Sequence, residues 1–246
     1  MIFVVTGGSR GIGAAIVATA VAAGHDVAFT YVQNAAAAGS VVEAARKINP
    51  TCRCMAACVD VRDSEAVDAF STKVLDEFGT VDVVVSNAGI NRNALLMSMS
   101  DDEWNDVLAV NLSGAFYIAR AFLPAMLEKR FGRFVFLSSL SRDGLSGQAN
   151  YAATKSGLLG LSRTIAKEYG KRGITSNVVA PGMIDTDLSR ENMSDTHARF
   201  WEENSTLRRV GTASEVAAAV MFFAQQDAAY INGTCLPVTS ALDWVP

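Results

Sequence analysis

The chain has 246 residues, 50% hydrophobic and 19% charged, with a formal net charge of −4. This suits one well-filled globular domain, excludes a disordered chain, and gives no global electrostatic reason for nucleic-acid binding. No apolar run reaches the ~20 residues that cross a bilayer. The opening MIFVVTGG begins as a strand without a basic leader, so a cytoplasmic location is expected.

In chain order, the first apolar run, 2–6, reads as a buried strand and leads straight into TGGSRGIG. Gly7, Gly11 and Gly13 then open a helix over 11–23. Glycine permits the tight turn, close backbone approach to a pyrophosphate, and close helix–strand packing. The helix N-terminus offers free N–H groups to phosphate oxygens. Gly7, Ser9, Arg10, Gly11, Ile12 and Gly13 are the first candidate dinucleotide contacts. A strand at 26–31 and a helix at 35–48 follow. A carboxylate about 20 residues beyond the glycines would bind the ribose 2′-hydroxyl of NAD. Here the strand ends FTYVQN, while Arg10 offers a guanidinium to a 2′-phosphate. Both features point to NADPH (NADP+).

The third run, 52–59, holds Cys52, Cys54 and Cys58; Cys235 is the fourth cysteine. Their spacing matches no common zinc pattern, and the two histidines, His25 and His197, lie elsewhere. They read as reduced thiols in a buried strand, and no metal site is expected. A helix at 63–78, a strand at 81–86 ending in SNAG, and a long helix at 101–129 come next. The strand at 133–138 leads through Ser138 and Ser139 to a helix at 150–171 that carries YAATK.

Tyr151 and Lys155 are four apart, on one helix face. A free tyrosine titrates at about 10. A neighbouring ammonium favours the phenolate and lowers that value, making the phenol a usable general acid/base. Together with the glycine turn, this pair suggests hydride chemistry on a carbonyl or alcohol. The strand at 174–180 ends at Pro181 and Gly182. The polar stretch 183–212 then interrupts the rhythm where open sheets place substrate loops, and it reads as a lid packed by Phe200 and Trp201. A helix at 214–226 and a strand at 234–238 complete the pattern. Runs apolar on both faces need helices on both sides, so one α/β domain over 1–246, with a doubly wound parallel sheet, is expected.

TGGSRGIG, SNAG, Asn111, the serine pair, YAATK and APG resemble the classical short-chain dehydrogenase/reductases over nearly the whole chain. DDEWNDVLAVNLSGAF, GQANYAATKSGLLG and RGITSNVVAPG are most similar to the 3-oxoacyl-(acyl-carrier-protein) reductases among them. The resemblance implies a seven-stranded Rossmann fold and NADPH-dependent reduction of a 3-oxoacyl thioester borne by acyl carrier protein, in fatty-acid or polyketide-type biosynthesis. It implies a catalytic set of Asn111, a serine, Tyr151 and Lys155. Tyr151 would protonate the carbonyl oxygen, and Lys155 would lower the Tyr151 pKa and hold ribose hydroxyls. Asn111 would help hold a water that returns protons, and the serine would polarise the substrate oxygen. Asp60 and Val61 would flank the adenine. Asn87, Ala88 and Gly89 would line the groove beside Ile90, and Pro181, Gly182, Ile184 and Thr186 would meet the nicotinamide end.

Two readings of the serine compete. Thirteen residues before Tyr151, a usual family spacing, stands Ser138; register from Gly132 and Arg133 gives Ser139. Register fixes which side chain faces the site, whereas loop length varies freely, so Ser139 is chosen with Ser138 as the alternative. The acidic carrier needs a cationic patch near the cleft, and Lys129, Arg130 and Arg172 are the candidates. A homo-oligomer, dimer or tetramer, or pairing with a homologous subunit is implied. Two departures stand out. The family's C-terminal glycine pair is replaced within VTSALDWVP (238–246), putting the tetramer in doubt. Arg142 and Asp143 occupy a loop that is usually small and apolar, which suggests recognition of a polar acyl chain. The alternatives are action on another ketone or alcohol, or a silent dinucleotide-binding subunit.

Overall fold

The computed structural model describes residues 1–192 and 195–242. Seven parallel strands form one sheet in the order β3-β2-β1-β4-β5-β6-β7. They are β1 Ile2–Val5, β2 Asp26–Tyr31, β3 Cys54–Cys58, β4 Val83–Ser86, β5 Gly132–Leu137, β6 Ile174–Pro181 and β7 Cys235–Val238. Each lies within two residues of an apolar run read from the sequence. Helices α1 Gly11–Ala22, α2 Ala35–Ile48 and α9 Ala213–Ala224 cover one face. Helices α3 Ser64–Phe78, α5 Gly114–Lys129 and α6 Ala149–Tyr169 cover the other.

Strand periodicity divides the core in two. Phe3, Val5, Val135 and Leu137 face the α1 and α9 side, where they meet Ile16, Val17 and Phe223. Val4, Phe134 and Phe136 face the other side, against Ile118, Phe122 and Leu158. Chain polarity puts the C-terminal ends of all seven strands on one edge, and the order reverses between β1 and β4, which leaves a crevice there.

Four features depart from the sequence reading. β3 is the outermost strand and only half-buried. Cys52 and Cys54 pack against the α1-side core, burial pushes the Cys54 thiol up to about 11, and Cys58 is exposed. The long helix is three pieces: α4 Asp101–Leu108, a π-turn Ala109–Ser113, and α5. That stretch is long and apolar enough by composition to cross a bilayer, yet Ile118, Phe122 and Met126 bury it against the sheet. Finally, 183–212 contains α7 Asp187–Asn192 and α8 Asp195–Asn204. Trp201 is buried with Leu140 and Leu242, and Phe200 packs against that cluster. The C-terminal residues 243–246, including Trp244, lie outside the described residues.

Candidate active site

The glycine turn leaves β1 at Thr6 and enters α1. Gly7 has φ +67° and Gly11 φ +54°, left-handed values that glycine adopts without strain. A Cβ on Gly13 would sit 2.2 Å from the Gly7 carbonyl oxygen, and one on Gly8 2.5 Å from the Phe29 Cβ. The turn is therefore packed from below and bare above. Arg10 is the exposed N-cap residue of α1, and its side chain makes no cap bond to the helix; the first turn contains no acidic residue. That leaves the helix N-terminus suited to an anion. Ser9 and Ile12 flank it, half-buried.

The SNAG segment is laced to this turn. Asn87 Nδ2 donates to the carbonyls of Thr6 (2.8 Å) and Gly7 (3.1 Å). The Asn87 and Ala88 N–H groups donate to Thr6 Oγ1 at 3.0 and 2.9 Å. Gly7 N–H donates to Thr30 Oγ1 at 3.2 Å. Thr6, Thr30 and Gly8 escaped the sequence reading; two hydroxyls where strands otherwise present Val and Phe were the available signal. Thr186 closes the ring, its Cγ2 lying 3.5 Å from a Cβ built on Gly11. Ile184 is buried and bridges to Gly211, and Gly182, just past Pro181, donates its N–H to Val238. After β3, Asp60 pairs with Arg62 at 2.6 Å, which holds its carboxyl below the usual carboxylate range. Val61 is buried where the chain passes Gly114. These residues fit a dinucleotide: a cradle that admits no Cβ, an uncapped helix end and a groove floored by Gly89.

The second cluster gathers on α6. Asn150 is wholly buried and anchors the helix start, donating to the carbonyls of Arg92 (3.0 Å) and Glu103 (3.1 Å). Tyr151 is hydrogen-bonded to Ser139. Ser138 instead donates to the Lys155 carbonyl at 2.7 Å, stapling β5 to α6. Lys155 Nζ lies 5.3 Å from the centre of the Tyr151 ring and donates to the Leu137 carbonyl at 2.8 Å. Asn111 sits in the π-turn, 2% exposed. Its Oδ1 accepts from Ile90 N–H (2.8 Å), and its Nδ2 donates to the Ile90 carbonyl (3.0 Å) and to Thr154 Oγ1 (3.4 Å). A Cβ on Gly89 would lie 3.4 Å from Asn111 Oδ1 and 3.5 Å from Lys155 Nζ, so the three meet at one point. Both polar atoms of the Asn111 amide are thus engaged with protein groups.

The electrostatics correct one expectation. Burial pushes the Tyr151 phenol up to about 12, partly offset by its bond to Ser139. Burial likewise pushes Lys155 down to about 8. Desolvation penalises both charged forms and outweighs any pull of the ammonium on the phenol. Tyr151 is thus held as a protonated phenol.

Two further placements differ from expectation. Lys129, Arg130 and Arg172 do not border the cleft. They stand before the first residues of β5 and β6, at the edge opposite Ser139 and Gly182, because the strands run away from them. Lys129 is moreover paired with Asp82, and Arg130 donates to the Lys171 carbonyl at 3.3 Å. Arg142, in the turn after β5, folds back and donates to the Ser139 carbonyl at 3.3 Å.

Comparison with known proteins agrees with this geometry. The family model described as enoyl-(acyl carrier protein) reductase matches residues 7–240. The chain is 42% identical over 243 residues to the 3-oxoacyl-(acyl-carrier-protein) reductase FabG of Escherichia coli (strain K12), covering 98% of this chain and 96% of that one. It is 41% identical over 242 residues to the 3-oxoacyl-(acyl-carrier-protein) reductase MabA of Mycobacterium tuberculosis (strain ATCC 25618 / H37Rv), covering 97% and 91%. The crystal structure of levodione reductase superposes with a TM-score of 0.95 at 30% identity, covering 98% of this chain and 97% of that one. A glycine cradle on a doubly wound sheet, a Tyr151–Lys155 helix and full-length likeness to such reductases lead to one conclusion: the chain belongs to the short-chain dehydrogenase/reductases, oxidoreductases that use a nicotinamide dinucleotide.

Proposed function

We propose that this chain reduces the 3-keto group of an acyl thioester borne by acyl carrier protein, with NADPH as reductant, in fatty-acid or polyketide-type biosynthesis. The observation that carries the reading is the convergence of Ser139, Tyr151 and Lys155 beside the glycine cradle. It is supported by nearly full-length likeness to reductases named for that substrate.

When bound, the dinucleotide supplies a hydride to the keto carbon. Tyr151, kept protonated by burial, gives its hydroxyl proton to the keto oxygen. Ser139, already bonded to that phenol, donates to the same oxygen and stabilises the charge that develops there. Lys155, its Nζ 5.3 Å from the centre of the Tyr151 ring, holds a positive charge beside it and would return the proton to the phenol. Asn111 fixes Ile90 and so the groove beside the reacting atoms.

NADPH is favoured over NADH by the end of β2. Tyr31, Val32, Gln33 and Asn34 include no carboxylate, and Asn34 caps α2 through a 2.8 Å bond from Ala37 N–H. Arg10 stands exposed at the start of α1, on the phosphate side of the cradle. The segment 183–212 is read as the lid over the acyl group. Lys129, Arg130 and Arg172 serve an acidic carrier only if another copy of the chain sets its cleft beside them, so a homo-oligomer belongs to the proposal. The test is loss of nicotinamide absorbance with acetoacetyl-acyl carrier protein, using NADPH and NADH in parallel. Turnover of free ketones alone would overturn the substrate, and an equal rate with NADH would overturn the cofactor.

A further inference from the structure

The turn after β5 carries charge, and its geometry gives that charge a task. Ser139 caps the 3-10 turn Leu140–Asp143: its Oγ accepts from Ser141 N–H at 3.1 Å. Its carbonyl accepts the Arg142 N–H at 3.2 Å. The same carbonyl takes a second donor, Arg142 Nη1, at 3.3 Å. The other arm of the fork, Nη2, pairs with Asp143 at 3.2 Å. The Arg142 side chain is only 15% exposed, against 60% for Asp143. A long cation has therefore turned back from water onto a backbone carbonyl.

A carbonyl held by two donors fixes the plane of the peptide between Ser139 and Leu140. That plane constrains the backbone from which the Ser139 Cβ projects. A serine hydroxyl otherwise samples three staggered wells; here Ser141 N–H selects one, and in it the hydroxyl meets Tyr151. Hydrogen bonds from an ionised donor are roughly twice as strong as neutral ones, and a site this shielded loses little to salt.

We propose that Arg142 is a positioning residue: its guanidinium clamps the Ser139 carbonyl so that the Ser139 hydroxyl stays on Tyr151, with Asp143 orienting the fork. The inference rests on the assignment of Ser139 to the reacting oxygen.

The test measures kcat and KM for acetoacetyl thioester and NADPH, per NADPH-binding site, in Arg142→Ala, Arg142→Lys, Asp143→Asn and Ser139→Ala. Displacing a catalytic group by about 1 Å can cost up to about 10²-fold in rate. Arg142→Ala is expected to lower kcat about tenfold or more, with both KM values within about twofold. Arg142→Lys keeps the charge without the fork and is expected to recover part of the loss, with Asp143→Asn between it and wild type. A merely structural role would lower the melting temperature and the number of binding sites, leaving kcat per site unchanged; that result overturns the inference. If Arg142→Ala does not fold, an unchanged kcat in Arg142→Lys and Asp143→Asn overturns it equally. Full turnover by Ser139→Ala would remove the Ser139 assignment and this inference with it. An inactive Ser139→Ala beside a wild-type Arg142→Ala would remove the inference alone.

Discussion

The Ser139 hydroxyl is bonded to the Tyr151 phenol, while Ser138, one residue earlier, donates to the Lys155 carbonyl at 2.7 Å. One strand end thus sends two hydroxyls to one helix for different purposes. Successive side chains of an extended chain point to opposite sides. The first hydroxyl therefore fastens α6 to β5, and the second meets the Tyr151 phenol.

Alanine at the two positions should separate these tasks. Ser139→Ala is expected to lower kcat by about 10²–10³, the usual effect of losing one donor to a developing oxyanion. Ser138→Ala is expected to keep turnover and lose about 1–2 kcal/mol of stability, the range for a buried hydrogen bond. Steady-state rates and urea melts on both variants check this, and the opposite pattern would exchange the roles.

The pH dependence follows from burial. Lys155 falls to about 8 and Tyr151 rises to about 12, so the phenol stays protonated while the ammonium is lost as pH climbs through about 8. In the reducing direction kcat/KM should be level near neutrality and fall above about 8. Stability should move the other way. Between about 8 and the ordinary lysine value the unfolded chain binds more protons, so stability rises with pH there. Lys155→Met should therefore raise the neutral melting temperature while removing activity. A rate profile flat well beyond 8 would contradict the assignment.

Much of this was legible before any coordinates. The seven apolar runs gave seven strands because both faces of a parallel sheet are buried, and the glycine turn was readable because so few backbones fit it. Register favoured Ser139 where loop length argued for Ser138; the structure sets Ser139 against the Tyr151 phenol and Ser138 against the Lys155 carbonyl. The π-turn at Asn111 left no mark in the pattern, since one extra residue per turn hardly disturbs apolar periodicity. Lys129, Arg130 and Arg172 were misjudged because nearness to the serine strand along the chain does not say which end of it they occupy. The pKa of Tyr151 was misjudged because sequence shows a neighbouring charge and hides desolvation.

Arg10 offers a check on the nucleotide. If it meets a 2′-phosphate, Arg10→Ala should weaken NADPH binding at least about tenfold, as expected for a lost charge-assisted bond of about 1.5–3 kcal/mol. NADH binding should be unchanged. Fluorescence titration with both nucleotides measures this, and equal losses would assign Arg10 to the shared part of the dinucleotide.

The C-terminal segment holds two non-glycine residues in the left-handed region. Ser240 and Ala241 have φ 54° and 58°, a region that costs a residue with a Cβ about 1–2 kcal/mol. Ser240 has compensation: its carbonyl accepts from Thr206 N–H at 3.0 Å, and its Oγ accepts from Leu207 N–H at 2.8 Å. For Ala241 no such bond is described. Ala241→Gly is therefore expected to stabilise the fold by up to about 1 kcal/mol. A lower melting temperature would show that the methyl group matters more than the strain.

Tyr151→Phe with acetoacetyl-acyl carrier protein and NADPH, followed in a single turnover, bears most directly on the whole account. Removing one oxygen should cut the rate by at least about 10³ and leave NADPH affinity intact. If the variant reduces the thioester at a rate near that of wild type, the proton comes from elsewhere and the proposed mechanism is wrong.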